Sequence, residues 1–268
     1  MRIKRENIIK TVCIFLFFCC IYAGAEKNGE LSGATDIKKS GNIEMAQRNI
    51  DSAPVEGKKE KKETADIKPY TIEDFEIIYQ NPELPTGCEA TALTMVLQFY
   101  GFTVSKTEVA STYLPREEYI LYTDSSGRMC GPDLDNYFVG DPFSEGTVCG
   151  AGALVTAANR YLKECGSSLR AEDISGCTAE ELYERICKNQ PVVVLVTIDM
   201  QDRGQTTGWY TESEKYVEWS VNDHGAVLIG WNENEVTIAC PIAGTENYSK
   251  EQFEKVFVSR GSKAVVIE

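Results

Sequence analysis

A single histidine, His224, occurs in 268 residues, so any chemistry that needs an imidazole has one candidate. No Cys-x-x-Cys pair is present, and His224 is remote in sequence from the cysteines as a group, which argues against a metal centre. Basic side chains are scarce: 27 Lys and Arg against 41 Asp and Glu give a net charge of −14. Such a surface repels phosphate backbones and anionic lipid, which argues against nucleic-acid partners. No nucleotide-binding ATPase motif, internal repeat, wall-binding repeat or sorting signal is found, and no cofactor is called for.

The first 25 residues carry their own message. Arg2, Lys4, Arg5 and Lys10 precede the apolar run TVCIFLFFCCIYA, and Ala23 to Ala25 offer small residues for a signal peptidase. The run is shorter than the roughly 20 residues of a spanning helix, so a signal peptide over 1–25 is expected rather than an uncleaved anchor. Membrane contact follows only if this segment stays attached. No lipobox precedes Cys19 or Cys20. The working domain is therefore expected to be secreted or on the extracellular face of the cell envelope, and removal of 1–25 takes away four basic groups and one acidic group, leaving −17.

Residues 26–70 are polar, contain EGKKEKKE and have no aromatic before Tyr70, so they cannot bury enough apolar surface to offset their ordering entropy and read as a disordered linker. Residues 71–268 change to periodic apolar segments of a length suited to one domain. Helices are expected over 88–100, from Ser105, over the GALVTAANRYLKECG stretch up to Gly166, from Thr178 to about Lys188 and over 249–260. Three of them open on capping boxes: Ser105 with Glu108, Thr178 with Glu181, and Ser249 with Gln252. PVVVLVTI reads as a buried strand, HGAVLIGW and EVTIA as a hairpin about Asn232, and KAVVIE as a closing strand. Helices followed by an antiparallel sheet make an α+β fold.

Seven cysteines lie beyond the targeting segment: Cys88, Cys130, Cys149, Cys165, Cys177, Cys187 and Cys240. The odd number fits three bridges and a free thiol, or a set of reduced, buried cysteines. Cys88 opens the 88–100 helix, where unpaired backbone N–H groups and the helix dipole favour a thiolate. Gly87 before it leaves room for a substrate backbone, and Glu89 follows it. His224 begins a strand, from which an imidazole projects at the sheet rim while Val227 and Ile229 face a core. A thiol nucleophile needs such a base.

The stretches YQNPELPTGCEATALTMVLQFYG, YFVGDPF and HGAVLIGWNENEVTIACPIAG resemble the double-glycine-peptidase-like (C39-like) family of papain-fold cysteine peptidases, related to the leader-cleaving domains of bacteriocin exporters. The resemblance implies a nucleophile helix packed on an antiparallel sheet and cleavage of a peptide or protein substrate. It implies Cys88 as nucleophile, His224 as base and Gln80 as an oxyanion-hole donor beside the Cys88 N–H. The fourth position departs: family members place an acid or amide across the hairpin, and here Cys240 stands there, a weak acceptor.

Three readings follow: a Cys–His dyad, another orienter such as Asp223 or Asn222, or a pseudopeptidase that binds peptides. A cell-wall peptide amidase or endopeptidase is the rival enzyme. Tyr137, and Trp219 within the aromatic 201–222 segment, are candidate substrate-binding residues beside Gly87 and Glu89, with loop packing as the alternative.

Overall fold

The computed structural model describes residues 68–268; the signal peptide and nearly all of the linker expected above lie outside the described residues. In chain order the elements are β1 (Tyr70–Thr71), α1 (Cys88–Phe99), α2 (Lys106–Glu108) running on into a π-helical turn (Val109–Tyr113), β2 (Arg116–Glu117), β3 (Tyr122–Thr123), β4 (Met129–Cys130) and β5 (Phe138–Val139). They continue as α3 (Ala151–Glu164), β6 (Ala171–Asp173), α4 (Ala179–Cys187), β7 (Val192–Thr197), a 3-10 turn (Ile198–Met200), β8 (Thr206–Tyr210) and β9 (Tyr216–Ser220). Last come β10 (Asp223–Trp231), β11 (Glu235–Cys240), β12 (Gly244–Ser249), α5 (Lys250–Ser259) and β13 (Ala264–Ile267).

The main sheet runs β12-β11-β10-β7-β13-β6, with β1 added at the far end of β10, and all its pairings are antiparallel. β7 and β10 are buried along their whole length, so the β-branched run Val192–Val194 and the stretch Ala226–Ile229 have apolar cover on both faces. α1 packs on β10 and β7, and α3 packs on α1 and the β6–β13 edge. One apolar core joins these elements.

The caps differ in detail from expectation. Thr178 and Glu181 form the full reciprocal box. Ser105 and Ser249 each accept from the third residue's N–H, but the Gln252 amide reaches instead to the Met200 carbonyl at 2.6 Å, tying α5 to the 3-10 turn rather than closing its own box. Segment 201–222, expected to bind substrate or to pack as a loop, holds the β8–β9 hairpin, built over a small separate core around Trp209 whose indole donates to the Pro132 carbonyl at 2.7 Å. Its last residues lead straight into β10.

Candidate active site

α1 begins at Cys88 with Gly87 as its N-cap and no side-chain cap. The helix start can sit against the sheet because β10 carries glycine at 225: a Cβ there would stand 2.7 Å from Glu89 Cγ and 2.8 Å from Glu89 Cα. The Gly225 backbone N–H acts to lower the Cys88 thiol pKa, against the larger effect of burial. His224 is the second residue of β10, and alternation sends its side chain to the opposite side of the strand from Gly225.

Gln80, Pro85, Thr86, Cys88, Gly146, Thr147, Ile198, Trp219, Ser220, Val221, Asp223, His224 and Ile242 line one cleft of about 120 Å³. Cys88, His224 and Gln80, far apart in sequence, are thereby brought together. His224 is 3% exposed and Gln80 is 3% exposed, so substrate meets them only from inside this cleft. His224 Nε2 stands 3.3 Å from Cys240 Sγ, while Nδ1 is buried with no partner. Gln80 Nε2 donates to the Pro85 carbonyl at 2.9 Å, which uses one amide hydrogen, and its Oε1 is buried and unpartnered.

Burial is the main force on the titratable groups. It pushes the Cys88 thiol well above the ordinary range, with the neighbouring Glu89 charge adding to the rise. Burial lowers His224 to about 4. At rest the pair is therefore a neutral thiol and a neutral imidazole. The Cys88 thiol donates to Glu89 Oε2 at 3.2 Å, and Glu89 is wholly buried.

The hairpin register pairs Val227 with Ala239, so Cys240 falls beside Ala226 and meets His224 diagonally rather than face to face. The four-residue turn after Trp231 makes this offset, and a bulge between Leu228 and Gly230 reduces it by one residue: without the bulge Cys240 would pair with Val227 and face away from His224. The Cys240 sulfur accepts the N–H groups of Ile242 and Ala243, each at 3.4 Å, and burial raises its pKa.

Asp223 and Asn222 do not orient the imidazole. Asp223 is held by Arg203 at 2.9 Å and Arg260 at 3.0 Å and accepts the Ser220 N–H, and Asn222 bonds Gly204 and Asp202. That buried Arg203–Asp223–Arg260 group was not legible in sequence, since nothing in a lone Arg after a helix marks it as buried.

Of the substrate-binding candidates, Trp219 lines the cleft with its indole N–H buried and unpartnered. Gly87 does not open onto it: a Cβ there would meet Leu84 Cβ at 2.8 Å, so its missing side chain serves packing. Tyr137 is exposed outside the cleft, and Glu89 lies behind the sulfur rather than facing substrate. All seven cysteines of the described residues are unbridged. Among the described residues no group of three or more His, Cys, Asp or Glu is placed to hold a metal, and no helix is long and apolar enough to cross a membrane.

A cysteine-opened helix laid on an antiparallel sheet that brings a histidine into the same cleft is the papain-like cysteine peptidase fold. More narrowly, the chain belongs to the Peptidase_C39 like family, which it matches over residues 72–265. It is similar to the uncharacterized protein YvpB of Bacillus subtilis, 27% identical over 97% of this chain and 98% of that one. Among solved structures it resembles a Bacillus anthracis protein assigned as a C39-like peptidase, with TM-score 0.66 and 28% identity over 75% of this chain and 98% of the other. The peptidase domain of Streptococcus ComA, a bifunctional ABC transporter, matches at TM-score 0.39 and 17% identity over 72% and 96% of the two chains.

Proposed function

We propose that this chain is an exported cysteine peptidase that cleaves peptide bonds by acyl transfer. The observation that carries the reading is the single cleft in which Cys88, His224 and Gln80 meet, with His224 Nδ1 free of any protein partner. In the reaction the Cys88 proton passes to Nδ1 as sulfur attacks the substrate carbonyl. The remaining Gln80 amide hydrogen and the Cys88 N–H stabilise the oxyanion, and the imidazolium protonates the leaving amine. Water, giving a proton to the neutral imidazole, then attacks the thioester carbonyl; the C–S bond breaks, the acid product leaves, and the imidazolium returns the proton to the Cys88 sulfur. Export rests on residues 1–25 alone.

Incubation of the secreted chain and Cys88→Ala with a peptide library, followed by mass-spectrometric mapping of new termini, tests the reading. Cleavage by the first and none by the second is the expected result. One observation favours a second reading, a peptide-binding pseudopeptidase: His224 faces a thiol where a stronger acceptor would hold an imidazolium. Equal peptide retention by both chains with no new termini would establish it.

A further inference from the structure

Glu89 is a buried acid in contact with the reacting atom that the mechanism above does not use. Its carboxylate is wholly buried, Oε2 accepts the Cys88 thiol at 3.2 Å, and Oε1 has no hydrogen-bond partner. A buried carboxylate with one oxygen unpartnered is costly, so a group kept there beside a nucleophile needs an explanation. The fold makes room for it: the absent side chain of Gly225 lets the Glu89 backbone approach β10.

The groups facing it are few. The thiol lies on its own helix. So does Glu89's own backbone N–H. From the segment before α3 come the Cys149 backbone N–H and the buried Cys149 thiol, which burial and then the Glu89 and Cys88 charges push well up. From the end of α5 comes the Arg260 charge, which acts on Cys88 as well and whose guanidinium is already bonded to Asp223 together with Arg203. His224 lines the cleft with Cys88 and is not among the groups that shift Glu89.

We propose that Cys88 and Glu89 share one proton and titrate as a single catalytic pair, so that Glu89 sets how much thiolate the site holds across neutral and alkaline pH. This rests on the reading of Cys88 as the nucleophile.

The argument is a coupled titration. Burial raises Glu89 to about 7, and the Glu89 charge in turn adds to the rise of the thiol. Above the first step the pair holds one proton, distributed between thiol with carboxylate and thiolate with carboxylic acid. That distribution does not change with pH until the second proton leaves. The thiolate fraction therefore rises through about pH 7 and then stays level, where an isolated thiol would keep gaining tenfold per unit.

In alkylation by iodoacetamide the S–H proton moves to Glu89, sulfur's electron pair bonds the methylene carbon, and iodide leaves with the C–I pair. The proton then passes to water. In peptide cleavage the pair's proton is the one delivered to His224 Nδ1 as the C–S bond forms, which leaves Glu89 a carboxylate.

The test is the rate of Cys88 alkylation by iodoacetamide from pH 6 to 9.5 in the full chain, read by mass spectrometry in His224→Ala and in His224→Ala with Glu89→Gln. Removing the imidazole takes its own titration out of the comparison, and because alkylation needs no peptidase activity, its outcome is independent of whether peptides are cleaved. Cys149, 1% exposed, reports any opening of the core. The expected result is a profile for His224→Ala that bends near pH 7 and changes less than twofold per unit above 7.5. Adding Glu89→Gln is expected to remove the bend and make labelling at pH 9 at least tenfold faster, with Cys149 silent. A tenfold-per-unit climb through pH 7 to 9 in His224→Ala overturns the proposal. That chain decides the matter alone if Glu89→Gln exposes Cys149.

Discussion

Beside His224 Nε2, 3.3 Å away, stands the Cys240 sulfur, and a thiol pushed up by burial cannot hold an imidazolium as a carboxylate would. The lowering of His224 to about 4 has burial as its sole resolved cause, with no neighbouring anion opposing it. Replacing Cys240 by Asp supplies that anion, and an opposite charge at this range raises a histidine pKa by about 1 to 3 units. Because the chain has one histidine, its ring-proton resonances need no assignment. Titration by proton NMR is expected to give a midpoint near 4 for the natural chain and one at least a unit higher for Cys240→Asp. Coincident midpoints would mean that residue 240 does not act on the imidazole.

At the scale of elements, the contact between α1 and β10 positions the chemistry, and the pieces of it were unequally legible in sequence. Helix 88–100, the hairpin partners and the closing strand follow from apolar spacing and capping residues, and they form within a residue or so of expectation. The diagonal placement of Cys240 was not legible, because it depends on the turn spanning 232–235 and on a one-residue bulge, which are properties of the paired strands and leave no mark in either one. Nor was the contact that makes Glu89 a partner of the sulfur, since the backbone approach at Gly225 exists only once helix and sheet are packed.

Gly225→Ala therefore tests the contact itself. Its new methyl would press on Glu89, an overpacking that costs about 1 to 3 kcal/mol. A fall in denaturation midpoint together with altered Cys88 alkylation is the expected outcome. Thr178→Ala, which breaks the capping box of α4 far from the cleft, is expected to cost about 1 kcal/mol and leave alkylation unchanged.

Over the whole molecule two buried groups pull stability in opposite directions with pH. His224 titrates lower in the fold, at about 4, than its ordinary 6.5. Its neutral form is favoured by folding, and its contribution is present above pH 6.5 and lost as pH falls toward 4. Glu89 titrates higher, at about 7, than its ordinary 4.5. Its contribution is present below pH 4.5 and lost as pH rises toward 7. Each effect is on the order of 3 kcal/mol, so between pH 4.5 and 6.5 they offset one another. Denaturant unfolding in that window is expected to lose stability with rising pH in His224→Ala relative to the natural chain, and to gain it in Glu89→Gln. Parallel curves for all three would remove both groups from the pH dependence of the fold.

The measurement that bears most directly on the whole account is capture of the acyl-enzyme. A nitrophenyl ester of a blocked amino acid, quenched in acid and followed by mass mapping, reports which sulfur is acylated and how fast. One acyl group on Cys88 is predicted, forming at least about 100-fold more slowly in His224→Ala, the usual loss when a general base is removed. Acylation of exposed Cys165 as fast as Cys88, with no change in His224→Ala, would contradict a Cys88–His224 peptidase site.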